Sequence, residues 1–448
     1  MKRKQKDRNN AYNGIGKNEK VENKASKQQL AWDRLDNTAN LFPVIATENM
    51  TNVYRISVAL TEKVDSLALQ EALNRVLPWF DVFRMRLRKG MFWYYFEENK
   101  KNPPLVEEEH SFPGSYIDRS RNRNYMFRVS YYQNRINLEV FHALTDGSGA
   151  ITFFKELIYQ YLRLMHKELL QKDKDKISSG LFLDKEDSYV KNFKKPHSKV
   201  YKSEKAVLVK GEKLAKGELG VIHGYLPVEQ LKKASKARQV TINQYLVGTY
   251  IYSIYKEYLH GAVSKQPITC CVPVNLRPYY DSHTMKNFFA VVSALFRPEQ
   301  EHYTKDEVIE MVATSLKEQI TFENLDNILS YNVSNEKKMI LRVVPLWIKN
   351  VAMKRIYGMS ARANSSTVTN IGNIELKEAY QPYVNHFYVT LSMSKGQNIK
   401  GGVCSYNGTL VFTISSVLED VSIQKRLFTE FAKDGIEVVL ESNGVYYE

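Results

Sequence analysis

The sequence predicts a mixed α/β protein of two halves, each a mixed sheet with helices packed on it. Three observations carry that prediction. The chain has 448 residues, more than one ordinary domain, and such a length favours two units of about 200 residues each. Apolar residues recur with period two in some stretches and with helical period in others, alternating along the chain. A lysine-rich segment over residues 171–217 separates the earlier set of elements from the later one. The expected division is a disordered basic tail over 1–30, a first half over 31–170, a basic linker over 171–217 and a second half over 218–448.

The elements follow in order. Residues 53–60 place Tyr54, Ile56, Val58 and Leu60 on one side, the pattern of a half-buried strand. A helix follows over 66–77, with Leu69, Ala72, Leu73 and Val76 at helical spacing. Residues 91–96 (MFWYYF) are strongly β-prone, and 125–131 and 135–141 alternate as two more strands. A long amphipathic helix is expected over 149–169, its stripe running from Phe153 through Leu157 and Tyr161 to Met165. The linker has room for a short strand over 205–209. In the second half a helix over 241–259 opens on Thr241, and strands are expected over 268–274 and 288–296. Thr304-Lys305-Asp306-Glu307 is a capping box that opens a helix to about Ile320. Strands over 367–371 and 386–393 precede a hairpin over 403–415, turned by Asn407-Gly408. A final helix covers 422–433. Residues 338–357 are apolar and basic together; a buried helix interrupted by Pro345 is expected, with an acyl-tunnel lining or a membrane contact as the other readings.

Composition excludes several classes. With 43% hydrophobic and 25% charged residues, the chain has the makings of packed cores and is neither disordered throughout nor collagen-like. Three cysteines, Cys270, Cys271 and Cys404, are too few for a disulfide scaffold and fit a reducing compartment. The basic N-terminus has no apolar stretch behind it, so it is not read as a secretory signal. No uncharged apolar run reaches the roughly 18 residues of a transmembrane candidate, and a cytoplasmic location is expected. The net charge of +15 invites a nucleic-acid reading. Residues 1–30 hold nine Lys/Arg against three Asp/Glu, and residues 171–217 hold thirteen Lys against seven Asp/Glu, so each contributes +6. Only about +3 remains for the rest of the chain, and no groove-reading motif accompanies it, so no nucleic-acid partner is expected.

One stretch carries chemistry: Phe141-His142-Ala143-Leu144-Thr145-Asp146-Gly147. Period-two counting puts His142 on the buried face of Ile136, Leu138 and Val140, at the end of a strand. The chain then turns through Asp146-Gly147-Ser148-Gly149 into the long helix. A histidine delivered there is either a hydrogen-bonded structural residue or a general base, since neutral imidazole accepts a proton at neutral pH. Gly147 is expected to free the backbone for a tight turn. Asp146 either contacts the imidazole or pairs with an arginine to hold the loop. Other site classes fail. There is no nucleophile elbow, since Gly358-Met359-Ser360-Ala361 falls short of it, and no phosphate-binding loop; Gly14 and Gly16 follow no strand. No metal-ligand spacing occurs. Cys270 and Cys271, adjacent in a strand, point to opposite faces and suit core packing.

The histidine segment resembles the H-H-x-x-x-D-G motif of the acyltransferases related to chloramphenicol acetyltransferase, a superfamily that includes condensation domains, wax-ester synthases and alcohol acetyltransferases. Phe141 stands where that motif has its first histidine, and His142 keeps the second. The departure at Phe141 argues against a typical peptide-condensation domain. Weaker likenesses follow in order. Trp32-Asp33-Arg34-Leu35-Asp36-Asn37 and Leu77-Pro78-Trp79-Phe80 resemble the opening of alcohol acetyltransferase-like members. Thr241-Ile242-Asn243-Gln244 resembles the Asn-Asp motif of wax-ester synthases, with Gln244 for Asp. Val272 to Arg277, then Asn287-Phe288, and finally Thr369-Asn370-Ile371-Gly372 resemble later segments.

The resemblance covers residues 30–448 and implies two chloramphenicol-acetyltransferase-like sandwich domains in a V with a tunnel between them. It implies an acyl-CoA-dependent acyltransferase, acetyl-CoA being a co-substrate rather than a permanent cofactor. His142 would be the general base of O-acetyl transfer to an alcohol. Asp146 and Gly147 would support the site, with Arg277 the suggested partner of Asp146. Thr369, Asn370 and Asn243 are the suggested oxyanion or substrate contacts, beside the simpler reading of Thr241 and Asn243 as helix-capping residues. Two alternatives stand: acylation of a larger lipid, polyketide or carrier-bound acceptor, with an acyl carrier protein as partner, and a non-catalytic binding protein that has kept the fold.

Overall fold

A computed structural model describes residues 32–172, 186–194, 204–337 and 344–446. The strands are β1 (Trp32–Arg34), β2 (Val53–Leu60), β3 (Met85–Lys89), β4 (Tyr94–Glu98), β5 (Glu107–Glu108), β6 (Phe127–Tyr132), β7 (Arg135–Phe141), β8 (Gly220–Pro227), β9 (Ile268–Asn275), β10 (Phe289–Phe296), β11 (Ser366–Asn373), β12 (Val384–Leu391), β13 (Ile399–Tyr406), β14 (Thr409–Ser416) and β15 (Val439–Ser442). The principal helices are α1 (Phe42–Ile45), α2 (Ser66–Val76), α3 (Gly147–Met165), α4 (Val228–Ala237), α5 (Ile242–Tyr258), α6 (Lys305–Gln319), α7 (Phe322–Lys337), α8 (Leu346–Ser360) and α9 (Ser422–Lys433).

Among the described residues the strands form three sheets, the two larger ones mixing parallel with antiparallel pairs and the small one wholly antiparallel. A five-stranded sheet has the order β12-β2-β7-β6-β5, a seven-stranded sheet the order β10-β9-β11-β13-β14-β8-β15, and a small sheet the order β1-β4-β3. Sequence halves and sheets do not coincide: β12, from late in the chain, pairs antiparallel with β2 along nearly its whole length. Two apolar cores result. One lies between the five-stranded sheet and helices α2 and α3, centred on Leu73, Leu138, Phe153 and Leu157. The other lies between the seven-stranded sheet and helices α5, α6 and α9, centred on Tyr250, Val312, Val368 and Phe431.

The two larger sheets meet where the edge strand β12 of the five-stranded sheet lies against β13 and β14 of the seven-stranded one, through a partly polar layer. Gly402 of β13 approaches β12 so closely that an added Cβ would lie 2.2 Å from the Val389 carbonyl oxygen. Tyr225 donates to the Tyr388 hydroxyl across the layer at 3.1 Å. Arg55 of β2 bridges Glu109 and Glu139, and Arg128 and Arg135 join the same pair of carboxylates. Burial works against ionising Glu139, yet Arg55 and Arg128 hold its carboxyl below the usual range. Strand β2 is therefore buried on both faces rather than half-buried, because its polar face meets the second sheet.

Several expectations need correction. The β-prone run 91–96 is split: Gly90 N–H donates to the Trp93 carbonyl at 2.9 Å, so residues 90–93 turn the β3–β4 hairpin and only residues from Tyr94 are strand. Helix α3 begins at Gly147, where Asp146 caps it, and ends at Met165; His166 is extended and a short helix Lys167–Lys172 follows. Residues 205–209 form no strand; Ala206 N–H bonds the carbonyl of Arg362 in a short 3-10 helix, and Val207 N–H that of Pro267 just before β9. The tail over 1–30 lies outside the described residues, as does much of the linker. The linker's described helix Ser188–Lys191 is not wholly solvated: the buried Tyr189 donates to the Phe289 carbonyl at 2.7 Å and accepts from Phe289 N–H at 3.0 Å. Helix α8 is mostly exposed, not buried. The Asn407-Gly408 turn has φ of 44° and 80° and joins β13 to β14, as a type I′ turn requires.

Candidate active site

His142 follows the last residue of β7, and its N–H donates to the Asn52 carbonyl at 2.9 Å. The half-buried ring is stacked on Phe42 of α1, with centroids 4.5 Å apart and planes 17° from parallel. Tyr54 of β2 meets it edge-on at 5.0 Å, and Phe289 of β10 lies 5.7 Å away. Its Nδ1 is 3.1 Å from Asn287 Oδ1.

The protonation pattern follows from Asn287. Its Nδ2 and backbone N–H both donate to Asp36 Oδ2, at 3.0 and 3.3 Å. The amide is thereby oriented with its oxygen toward His142, so Nδ1 must be the donor and carry the proton. Nε2 is then the basic lone pair, and no hydrogen bond to it is found among the described residues. Burial pushes the imidazole below its ordinary pKa; the hydrogen bond with its own backbone, the Asp146 charge and Asn287 oppose that shift without cancelling it. Asp36 is buried and pushed up to about 7 by the same loss of water, against hydrogen bonds from Asn287 and Ala39.

Asp146 does not touch the imidazole by any hydrogen bond. Its Oδ1 caps α3 by accepting from Ser148 and Gly149 N–H, each at 3.1 Å. Both oxygens pair with the Arg277 guanidinium, at 2.9 and 3.0 Å, and Oδ2 also accepts from Phe288 N–H at 2.8 Å. Arg277 donates further to the carbonyls of Thr284 and Lys286. Thr145 Oγ1 donates to the Met285 carbonyl at 2.5 Å. The turn after His142 and the segment carrying Asn287 are thus fastened together. Gly147 does not have positive φ; glycine is needed there for space, since a Cβ would lie 2.9 Å from Ile371 Cγ2.

Thr369 is paired with Gly402 in the β11–β13 register. It therefore shares the sheet face that looks toward β12, while its neighbour Val368 points into the opposite core. Asn370 alternates to the other side and is exposed; its Nδ2 donates to Asn243 Oδ1 at 3.3 Å, and its Oδ1 accepts from Gly372 N–H. Neither Asn370 nor Asn243 hydrogen-bonds His142. Gln244 completes a capping box with Thr241, which accounts for glutamine at that place. A cavity of about 60 Å³ lies on the other side of the strand end, against Phe141, Pro43 and Ile117. Asp36, Asn287, Phe42 and Tyr54 had no assigned part in the sequence reading. Asp36 and Asn287 stood only in weak likenesses, and the residues around each carry no pattern that marks a site.

No protein-family model and no curated protein matches the sequence. Solved structures do. Polyketide synthase associated protein 5 from Mycobacterium tuberculosis superposes with a TM-score of 0.58 at 13% identity, over 89% of this chain and 97% of that one. The condensation domain of the monacolin K polyketide synthase MokA gives 0.55 at 12%, over 90% and 96%. This is the two-domain condensation-domain fold. F. sporotrichioides TRI101, in a structure with coenzyme A and T-2, shares that fold with a TM-score of 0.57 at 10% identity, over 90% and 98%. Within the condensation-domain fold of this chain, the His142 strand end comes from the five-stranded sheet, and Asn287 and Phe289 come from the edge of the seven-stranded one.

Proposed function

We propose that this chain is an acyl-CoA-dependent acyltransferase that moves an acetyl group from acetyl-CoA to an alcohol, with His142 as the general base. The observation that carries the reading is the His142–Asn287 hydrogen bond: Asn287 Oδ1 accepts from Nδ1–H, leaving Nε2 as a free lone pair on a ring whose charged form burial disfavours. The acceptor hydroxyl gives its proton to Nε2 while its oxygen attacks the thioester carbonyl. The tetrahedral oxyanion is stabilised by hydrogen-bond donors, for which the Thr369 hydroxyl is the proposed side chain. As the C–S bond breaks, the imidazolium returns the proton to the departing thiolate and the ester leaves. Asp146 and Arg277 act on none of these atoms; they hold the two loops that carry His142 and Asn287. The coenzyme A seen with TRI101 supports a thioester donor.

The test is thiol release from acetyl-CoA across a panel of alcohols. His142→Ala is expected to lose roughly a hundredfold or more of the rate; equal rates in the two proteins overturn the assignment. A second reading, acylation of a larger apolar or carrier-bound acceptor, is favoured by the aromatic wall of Phe42, Tyr54 and Phe289 around the ring. It predicts turnover with long-chain or carrier-bound acceptors where short alcohols give none.

A further inference from the structure

Helix α8 inverts the pattern of a surface helix. Successive residues turn by about 100°, so Lys354, Trp347, Val351, Arg355, Ile348, Met359 and Ala352 fall within one arc of about 160°, with Ile356 about 40° beyond its end, and all eight are exposed. Trp347 and Met359 are each 68% exposed and Ile356 59%. The inward side holds Leu346 and Tyr357. A helix this apolar all round is ordinarily covered on every side. The β3–β4 turn extends the patch. Leu346 N–H donates to the Met91 carbonyl at 2.9 Å, and Lys349 Nζ to the Phe92 carbonyl at 2.8 Å, which sets Met91 (70% exposed) and Trp93 beside the start of the helix.

The charge on this face has one sign. α8 carries Lys349, Lys354 and Arg355 and no acidic residue, and the sequence from Lys337 to Ile374 contains no Asp or Glu. We infer that the outer face of α8, with Met91 and Trp93, docks on an anionic lipid bilayer. A bilayer supplies acyl chains for Trp347, Val351 and Met359 and phosphates for Lys354 and Arg355 in one place, which is how interfacial helices bind. A second copy of the face would bring cation against cation with no carboxylate to separate them. The helix also packs against α1, whose Phe42 is stacked on His142, so docking brings the site alongside the lipid surface. The inference holds whatever reaction His142 performs.

The test is sedimentation of the full chain with vesicles of phosphatidylcholine alone and of an equal mixture with phosphatidylglycerol. Co-sedimentation with the mixture, weakened by salt, is expected. The pair Trp347→Glu with Val351→Glu, and separately Lys354→Glu with Arg355→Glu, should each lower partitioning about tenfold without changing the thermal midpoint. Absence of binding at low salt overturns the inference. So does undiminished binding by both variants, which would place the contact on basic residues elsewhere. A concentration-dependent dimer abolished by the first pair, without vesicle binding, overturns it in favour of self-association.

Discussion

Asp36 reaches His142 through a single amide, and each link has a direction. The carboxylate accepts two N–H bonds from Asn287, and Asn287 offers only its oxygen to the imidazole. Asn287→Ala frees the ring to adopt either tautomer and should cost roughly tenfold or more in acyl transfer, with coenzyme A binding retained. Asn287→Asp combined with Asp36→Asn, which removes the second carboxyl 3.0 Å away, places a carboxylate beside Nδ1 and stabilises the imidazolium. The acid limb of the pH–rate profile should therefore move to higher pH, whereas in the wild type it lies below the ordinary histidine value of 6.5. An unshifted limb in that variant removes Asn287 from the mechanism. At this scale the histidine and the aspartate of the turn were legible, because strand, turn and helix are local. The Asp36–Asn287 link was not: its partners are 251 positions apart, and no local pattern announces such a contact.

At the scale of elements, the Asp146–Arg277 pair is the fastening between α3 and the loop that carries Asn287. Both side chains are nearly buried, 8% and 13% exposed, so Arg277→Ala strands a carboxylate away from water. A loss of about 3 kcal/mol or more in unfolding free energy is expected by chemical denaturation, and Arg277→Lys should recover only part of it because the bidentate geometry is lost. Gly149→Ala should be as damaging, since the new Cβ would lie 2.0 Å from Thr145 Oγ1 and 2.6 Å from the Met285 carbonyl. Helix and strand types were readable from periodicity for α2, α3, α5 and β7. Burial was less so. The sequence of β2 shows one apolar side, but its polar side is covered by Arg55 meeting two carboxylates. The pattern of α8 reads as interior because apolar residues surround it, and only the fold reveals which side no described residue covers.

For the whole molecule, the layer between the two larger sheets governs the response to acid. His223 of β8 lies in it, bonded to Thr413 Oγ1 at 2.8 Å. Burial, with Arg135 and Arg55 nearby, pushes its pKa down to about 3. The folded state thus binds this proton more weakly than the unfolded chain, so its contribution is complete above 6.5 and lost as pH falls toward 3. About 2 kcal/mol should disappear between pH 6.5 and about pH 5. His223→Gln, which keeps an acceptor for Thr413, should flatten that slope in pH-resolved denaturation.

Strand β12 has a further consequence for how the molecule is made. The partner of β2 lies more than three hundred residues downstream, so on a ribosome the first sheet waits with an apolar, unpaired edge until residue 391 has emerged. Vectorial synthesis therefore cannot finish the N-terminal lobe first. A fragment ending at residue 170 should be captured by chaperones or precipitate, while a nascent chain extended past 391 should become protease-resistant in a single late step.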